Sequence, residues 1–117
     1  MVTKSANDAA TVVAEAIGGT EVKFAEIMTS KARSMGMRRT TFRNATGLPN
    51  RHQRTTAGDM SLLATALLRD HKNHYHYFST SKFTHGRRTY GNHNNLLKTY
   101  QGADGIKTGY IRASGFN

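Results

Sequence analysis

Apolar residues recur at Ala9, Val12, Val13, Ala16 and Ile17, the i, i+3, i+4, i+7, i+8 spacing of one helix face, and Gly18-Gly19 stops the run. Thr20 is placed to cap a second helix whose inner face is Phe24, Ile27, Met28, Ala32 and Met35, ended by Gly36. Together these segments predict an antiparallel helical pair. From Thr40 to Arg54 the pattern is irregular, and Gly47, Pro49 and Asn50 mark an ordered loop. Thr56-Ala57-Gly58-Asp59 reads as a capping box opening a third helix with Met60, Leu63, Ala64, Leu67 and Leu68 on one side, ending near Asp70. Beyond it the chain turns to Tyr, Thr, Phe, His, Asn and Gly, with short candidate strands at Lys82 to His85 and Arg87 to Tyr90. A turn at Gly102-Ala103-Asp104-Gly105 leads into a strand over Ile106 to Ile111, and another begins at Phe116-Asn117. Helices over about residues 1–80 followed by strands over about 81–117, without βαβ alternation, predict an α+β unit.

Composition thins the expected core. Leu, Ile, Val and Phe supply only 20 of 117 residues, and the formal charge is +10, a balance that borders on that of disordered chains. Thirteen Ala, five Tyr, five Met and a single Pro instead describe a folded chain. No apolar run reaches the length of a membrane span, and residues 1–10 lack the apolar stretch of an export signal. With no cysteine, disulfides and thiolate metal sites are excluded. The charge is concentrated: no acid occurs between Glu26 and Asp59, where Lys31, Arg33, Arg38, Arg39, Arg43, Arg51 and Arg54 lie. Such a stretch attracts anions, whether nucleic acid, a polyanionic wall polymer or a carboxylate-bearing substrate. A basic nucleic-acid-binding module is therefore the alternative of a different class, although no recognised nucleic-acid motif accompanies the charge.

Two short features could carry chemistry. Lys107-Thr108-Gly109 follows a turn on the predicted strand, where Gly109 leaves open the face that Lys107 shares, so a peptide backbone can approach the ammonium and the Thr108 hydroxyl. Ser5-Ala6-Asn7-Asp8 sets a hydroxyl and an amide two residues apart just ahead of a helix, a grouping that an N-cap also explains. His71, His74 and His76 crowd one stretch, but no H-E-x-x-H spacing and no nearby Glu or Cys accompany them, which favours a polar surface over a metal site.

In this order the two features resemble the serine D-alanyl-D-alanine carboxypeptidases of the low-molecular-mass penicillin-binding proteins, peptidase family S11, which use S-x-x-K, then S-x-N, then K-T-G. Phe42-Arg43-Asn44-Ala45-Thr46-Gly47-Leu48-Pro49, Thr55 to Met60, Asn92 to Leu97 and Ala113 to Asn117 are similar to that family's other blocks, so the likeness covers nearly the whole chain. It implies part of a β-lactamase/D,D-peptidase domain truncated at both ends. It implies an activity that removes the terminal D-Ala from peptidoglycan stem peptides through an acyl-enzyme, with neither metal nor cofactor. Ser5 would relay a proton, Lys107 would hold that hydroxyl, and Asn7 would bind the substrate amide. Thr108 would take the terminal carboxylate, and the Tyr110 N–H would give half of an oxyanion hole. β-Lactams would bind covalently only in the full-length protein, which is expected in the periplasm or cell envelope. A class A β-lactamase fragment is the related alternative; the Ser-Ala-Asn in place of S-D-N speaks against it.

The leading S-x-x-K is expected upstream of Ser5. The only such string here, Ser79-Thr80-Ser81-Lys82, stands in the wrong order, is not followed by a helical stripe, and arises easily in a chain with seven Ser and seven Lys. The 117 residues alone are therefore expected to be inert.

Overall fold

A computed structural model describes residues 1–116. Five helices and two hairpins follow one another: α1 (Asn7–Gly18), α2 (Glu21–Ser34), α3 (Ala57–Asp70), α4 (Lys72–Ser79), β1 (Lys82–His85), β2 (Arg88–Gly91), α5 (Leu96–Thr99), β3 (Tyr110–Ile111) and β4 (Gly115–Phe116). β1 and β2 pair antiparallel with Phe83 opposite Tyr90, and β3 pairs antiparallel with β4, Tyr110 opposite Phe116. The fold is α+β, with four of its helices ahead of the first hairpin and α5 between the two hairpins.

α1 and α2 pack against each other. Gly18 lets them meet at the turn, because a Cβ there would stand 2.7 Å from the Phe24 backbone nitrogen. Thr20 accepts from the Lys23 N–H, as the cap position requires. The core is as thin as the composition predicts: the buried apolar residues are Ala14, Ala25, Ala32 and Met37. The expected α2 stripe turns inward at Phe24, Met28, Ala32 and Met35, and the α3 stripe at Met60, Leu63, Ala64 and Leu67, whereas the α1 stripe is largely exposed. Val12 is 66% exposed, Ile17 62% and Ile27 48%, while small residues make the helix contact.

The Thr56–Asp59 box is half formed. Thr56 Oγ1 accepts from the Asp59 N–H at 3.1 Å. The Asp59 carboxylate, however, does not return to the cap: its Oδ2 takes the Arg39 N–H at 2.9 Å and the Thr40 hydroxyl at 2.6 Å. Thr40 is fully buried and also meets Thr55 Oγ1 at 2.9 Å, so Asp59 ties the start of the 40–56 loop to its end. α4 was not expected, since its Tyr/His composition lacks a stripe; only Tyr75 and Phe78, three residues apart, turn inward, their rings 5.4 Å apart. The strand expected over residues 106–111 is shorter than predicted. The strand register begins only at Tyr110, opposite Phe116. The second expected strand is Gly115–Phe116, with Asn117 outside the described residues.

Candidate functional site

A cleft of about 910 Å³ runs between the start of α1, the 40–56 loop and the segment leading into β3. Ser5 and Asn7 border it from one side, and Lys107, Thr108 and Tyr110 from the other. All five residues singled out from the sequence thus reach one cavity, although a hundred positions separate Ser5 from Lys107.

Ser5 and Asn7 do not serve α1 as caps. The N-cap position is Ala6 and carries no side-chain cap bond, while Asp8 Oδ1 accepts from the adjacent Ala9 N–H at 2.8 Å. Ser5 lies at φ +58°, the one non-glycine residue with positive φ among those described. For an L-residue that conformation costs about 1–2 kcal/mol, and strain of this kind concentrates at functional positions. The structural explanation of the Ser-Ala-Asn group is removed, and its side chains are left to the cleft.

The loop wall is built by side-chain amides. Gln53 Oε1 accepts from the Arg43 and Asn44 N–H groups at 2.8 and 3.2 Å, and Asn44 Oδ1 takes the Gly47 N–H at 2.8 Å. Asn44 Nδ2 donates to Leu48 O at 2.9 Å. From below, Glu21 Oε1 accepts from the Ala45 N–H at 3.0 Å and Thr29 Oγ1 from the Phe42 N–H at 2.9 Å. These bonds hold Phe42, Asn44, Thr46 and Leu48 along the cleft without an apolar core beneath them.

The opposite wall is positioned by asparagines. Asn92 Nδ2 donates to Thr80 O at 3.0 Å and Phe78 O at 3.2 Å, and its Oδ1 takes the Asn94 N–H at 2.9 Å. Asn94, 6% exposed, donates from Nδ2 to Gly105 O at 3.2 Å and accepts the Leu96 N–H at 3.1 Å. Gly105 in turn sits on α4, where a Cβ would be 2.8 Å from the Tyr75 hydroxyl and 3.1 Å from Phe78 Cβ. The segment two residues ahead of Lys107 is therefore clamped between Asn94 and α4. Burial, then the Asp104 carboxylate, pushes the Tyr75 phenol above its ordinary value. Lys107 Nζ donates to Thr108 O at 2.5 Å, and partial burial holds its ammonium pKa below the ordinary lysine value. Tyr110 packs its ring on Phe116, centroids 4.6 Å apart.

Two other sequence candidates lie elsewhere. Ser79 is the last residue of α4 and its hydroxyl donates to His76 O at 3.0 Å, so it sits at the wrong end of a helix for an activated nucleophile. His74 stacks with Tyr77, and His76 Nδ1 lies 3.0 Å from Asn73 O. Among the described residues no three His, Cys, Asp or Glu side chains converge as a metal site would need.

A family model for D-alanyl-D-alanine carboxypeptidases, peptidase family S11, matches residues 1–117. The chain belongs to this family. As a member of the D-alanyl-D-alanine carboxypeptidase family it is 38% identical to the DacF carboxypeptidase of Bacillus subtilis over 91% of its own length and 28% of that protein's. It is 33% identical to DacC of Escherichia coli over 100% of this chain and 30% of the relative. The chain thus spans less than a third of these curated relatives. Among solved structures, penicillin-binding protein 5 of Haemophilus influenzae superposes with a TM-score of 0.92 at 31% identity, covering 98% of this chain and 34% of the other. Penicillin-binding protein D2 of Listeria monocytogenes, in its cefotaxime-bound form, gives 0.87 at 32% identity over 99% of this chain and 48% of its own. The carboxypeptidase fold is thus reproduced across the described residues, and Asn94, Gln53 and the cross-loop bonds of Asp59 are supports that the sequence did not reveal.

Proposed function

We propose that this cleft is the substrate-holding part of a serine D-alanyl-D-alanine carboxypeptidase, acting on peptidoglycan stem peptides that end in D-Ala-D-Ala. The observation that carries this reading is the meeting of Ser5 and Asn7 with Lys107 and Thr108 across one cavity, with no capping role for the first pair. An extended peptide laid against residues 107–110 would place its terminal carboxylate at the Thr108 hydroxyl, near the Lys107 ammonium. The Asn7 amide would hold the penultimate peptide group. Ser5 would pass a proton to the departing D-Ala amine, and the ammonium of Lys107 would favour the alkoxide-like state that forms during that transfer. The Tyr110 N–H would receive the developing oxyanion.

Acylation also requires a nucleophilic serine and its lysine base, roles that the family's S-x-x-K supplies. Ser79-Thr80-Ser81-Lys82 does not fill them, since Ser79 lies outside the cleft. The proposal extends to β-lactams as covalent ligands of the complete enzyme and to the bacterial envelope as its place of action. No described helix is long and apolar enough to cross a membrane.

A fluorescent penicillin tests the reading. The full-length protein should be labelled covalently, and Thr108→Ala should slow labelling by about tenfold or more, the cost of a lost charge-assisted hydrogen bond. The 117-residue chain should remain unlabelled. Labelling of that chain at Ser79, or a Thr108→Ala protein that labels at the parent rate, overturns it.

A further inference from the structure

The side of the 40–56 loop turned away from the cleft gathers arginines that the proposed reaction does not use. Thr41 and Arg54 are antiparallel partners joined by backbone hydrogen bonds of 2.8 and 3.0 Å, so their side chains leave the same side of the pair. Arg54 stands between Gln53 and Thr55, which both line the cleft; Arg43 stands between Phe42 and Asn44, which do the same. Neither arginine lines the cleft itself, so both side chains lie away from it. A third guanidinium arrives from α2: Arg33 Nη2 lies 3.5 Å from Thr41 Oγ1, and its Nη1 donates to Arg38 O. Arg33, Arg43 and Arg54 thus surround Thr41, and all three are exposed. Arg54 stands opposite Thr41, Arg43 two residues along the chain from it and Arg33 against its hydroxyl, an arrangement from which long guanidinium side chains can converge on one tetrahedral anion.

Among the described residues no carboxylate pairs with them. The two that reach the loop do so from its inner side, Glu21 on the Ala45 N–H and Asp59 on Arg39 N–H and the Thr40 hydroxyl. Among the described residues the only ion pair joins Arg69 to Asp70. Three like charges held together on a hydrogen-bonded loop raise the local potential, and a bound anion relieves it. The choice of cation narrows the ligand. From residue 32 to residue 68 there are six arginines and no lysine, and the guanidinium fork suits two-point contact with phosphate oxygens. Arg38, Arg39 and Arg51 extend the charge beyond the trio, which fits a ligand with repeated anionic groups. Phe42 is the loop's only Phe, Tyr or Trp and it lines the cleft, so this face offers no such ring for a nucleobase to stack on.

We infer that this outer face binds a linear polymer of phosphate groups, with Arg33, Arg43 and Arg54 bridging its phosphates. The site is separate from the cleft and stands whether or not the carboxypeptidase reading holds.

Fluorescence anisotropy of the full chain with end-labelled inorganic polyphosphate tests it, alongside R33Q/R43Q/R54Q and a charge-matched control, K82Q/R87Q/R88Q, on the β1–β2 hairpin. The cluster variant should bind at least tenfold more weakly and with a shallower salt dependence; the hairpin variant should change less than threefold. Equal losses in both would reduce the effect to net charge and overturn the site. Tighter binding of an oligothymidylate with the same number of phosphates, or of phosphatidylglycerol vesicles, would overturn it in favour of a nucleic-acid or membrane surface. Should the triple variant fail to fold, the single R43Q and R54Q variants decide: each is expected to lose about twofold or more with an unchanged circular dichroism spectrum, and no loss in either refutes the inference.

Discussion

Asn94 is where the fold and the cleft are most directly coupled, and its replacement separates two consequences. In Asn94→Ala both side-chain bonds disappear, leaving the Gly105 carbonyl and the Leu96 N–H without their partner at a site that is 6% exposed. At about 1 kcal/mol net for each bond the loss is about 2 kcal/mol. With a urea slope of about 2 kcal/mol per molar for a domain of this size, the midpoint should fall by about 1 M. Asn94→Asp keeps the acceptor for Leu96 but sets a second oxygen against Gly105 O, where the parent has a donor 3.2 Å away. At pH 7 that substitution should be the more damaging of the two. Its pH dependence follows from the same geometry. Only the protonated carboxyl can donate to Gly105 O, so its folded pKa must rise above the unfolded value of about 3.9. The stability gained by protonation is then fully present below that unfolded value and is lost as pH rises through the folded one. Urea titrations of the chain at pH 4 and pH 7 measure both effects, with exposed Asn73→Ala as control. Asn94→Ala within about 0.5 kcal/mol of that control, the scatter of surface substitutions, or an Asn94→Asp deficit that does not shrink at acidic pH, would refute the clamp.

Other outcomes follow from single contacts. Because burial lowers the Lys107 pKa, the unfolded chain holds the extra proton between the folded value and 10.5, so stability should rise with pH across that window; Lys107→Met should lose the rise, and comparison with the parent cancels the opposing contribution of Tyr75. Gly105→Ala should cost about 1–3 kcal/mol through contact with Tyr75 and Phe78, and Tyr75→Phe should recover part of it in the double variant, as read by denaturation; additive losses would count against the contact. Thr56→Ala should cost about 1 kcal/mol, whereas Asp59→Ala, which strips two bonds from the loop, should cost at least twice as much and accelerate amide exchange at Arg39 and Phe42. Val12→Lys with Ile17→Lys should change stability by less than about 0.5 kcal/mol and reduce binding of a hydrophobic dye, since both side chains are mostly exposed.

What the sequence disclosed depended on whether the signal was periodic. α1, α2 and α3 carry apolar spacing and cap residues, and their observed limits fall within a residue or two of the expected ones. The buried face was misjudged in α1, where Ala14 and not Val12 or Ile17 is buried, while the α2 face was read correctly at Ala32. α4 escaped notice because two inward rings in eight residues set no pattern. The strand read over Ile106 to Ile111 is confined to Tyr110–Ile111, because composition marks a strand-like stretch and does not set where its register begins. Ser5, Asn7, Lys107 and Thr108 were recognisable through their motifs. Asn94, Gln53 and the cross-loop role of Asp59 were not, because hydrogen bonds between residues ten to twenty positions apart leave no spacing to read.

The two walls of the cleft owe their shape to neutral amides, the Thr29 hydroxyl and two carboxylates, Glu21 and Asp59, and none of the four buried apolar residues borders it. That choice suits a chain of charge +10. Hydrogen bonds between buried or half-buried amide groups and backbone are short-ranged and little altered by ionic strength, whereas the repulsion among exposed arginines falls off within a Debye length of about 8–10 Å at physiological salt. Cleft geometry and outer charge are therefore independently adjustable within one loop: Gln53 and Asn44 fix the inner face while Arg43 and Arg54, their immediate neighbours, remain free to answer to an anion. Salt should then separate the two faces of the same segment, leaving amide protection at Arg43, Asn44 and Gly47 unchanged between low and physiological ionic strength while polyphosphate affinity at the outer face falls steeply. Parallel loss of both would mean that the loop is held by its charges and not by Gln53 and Asn44.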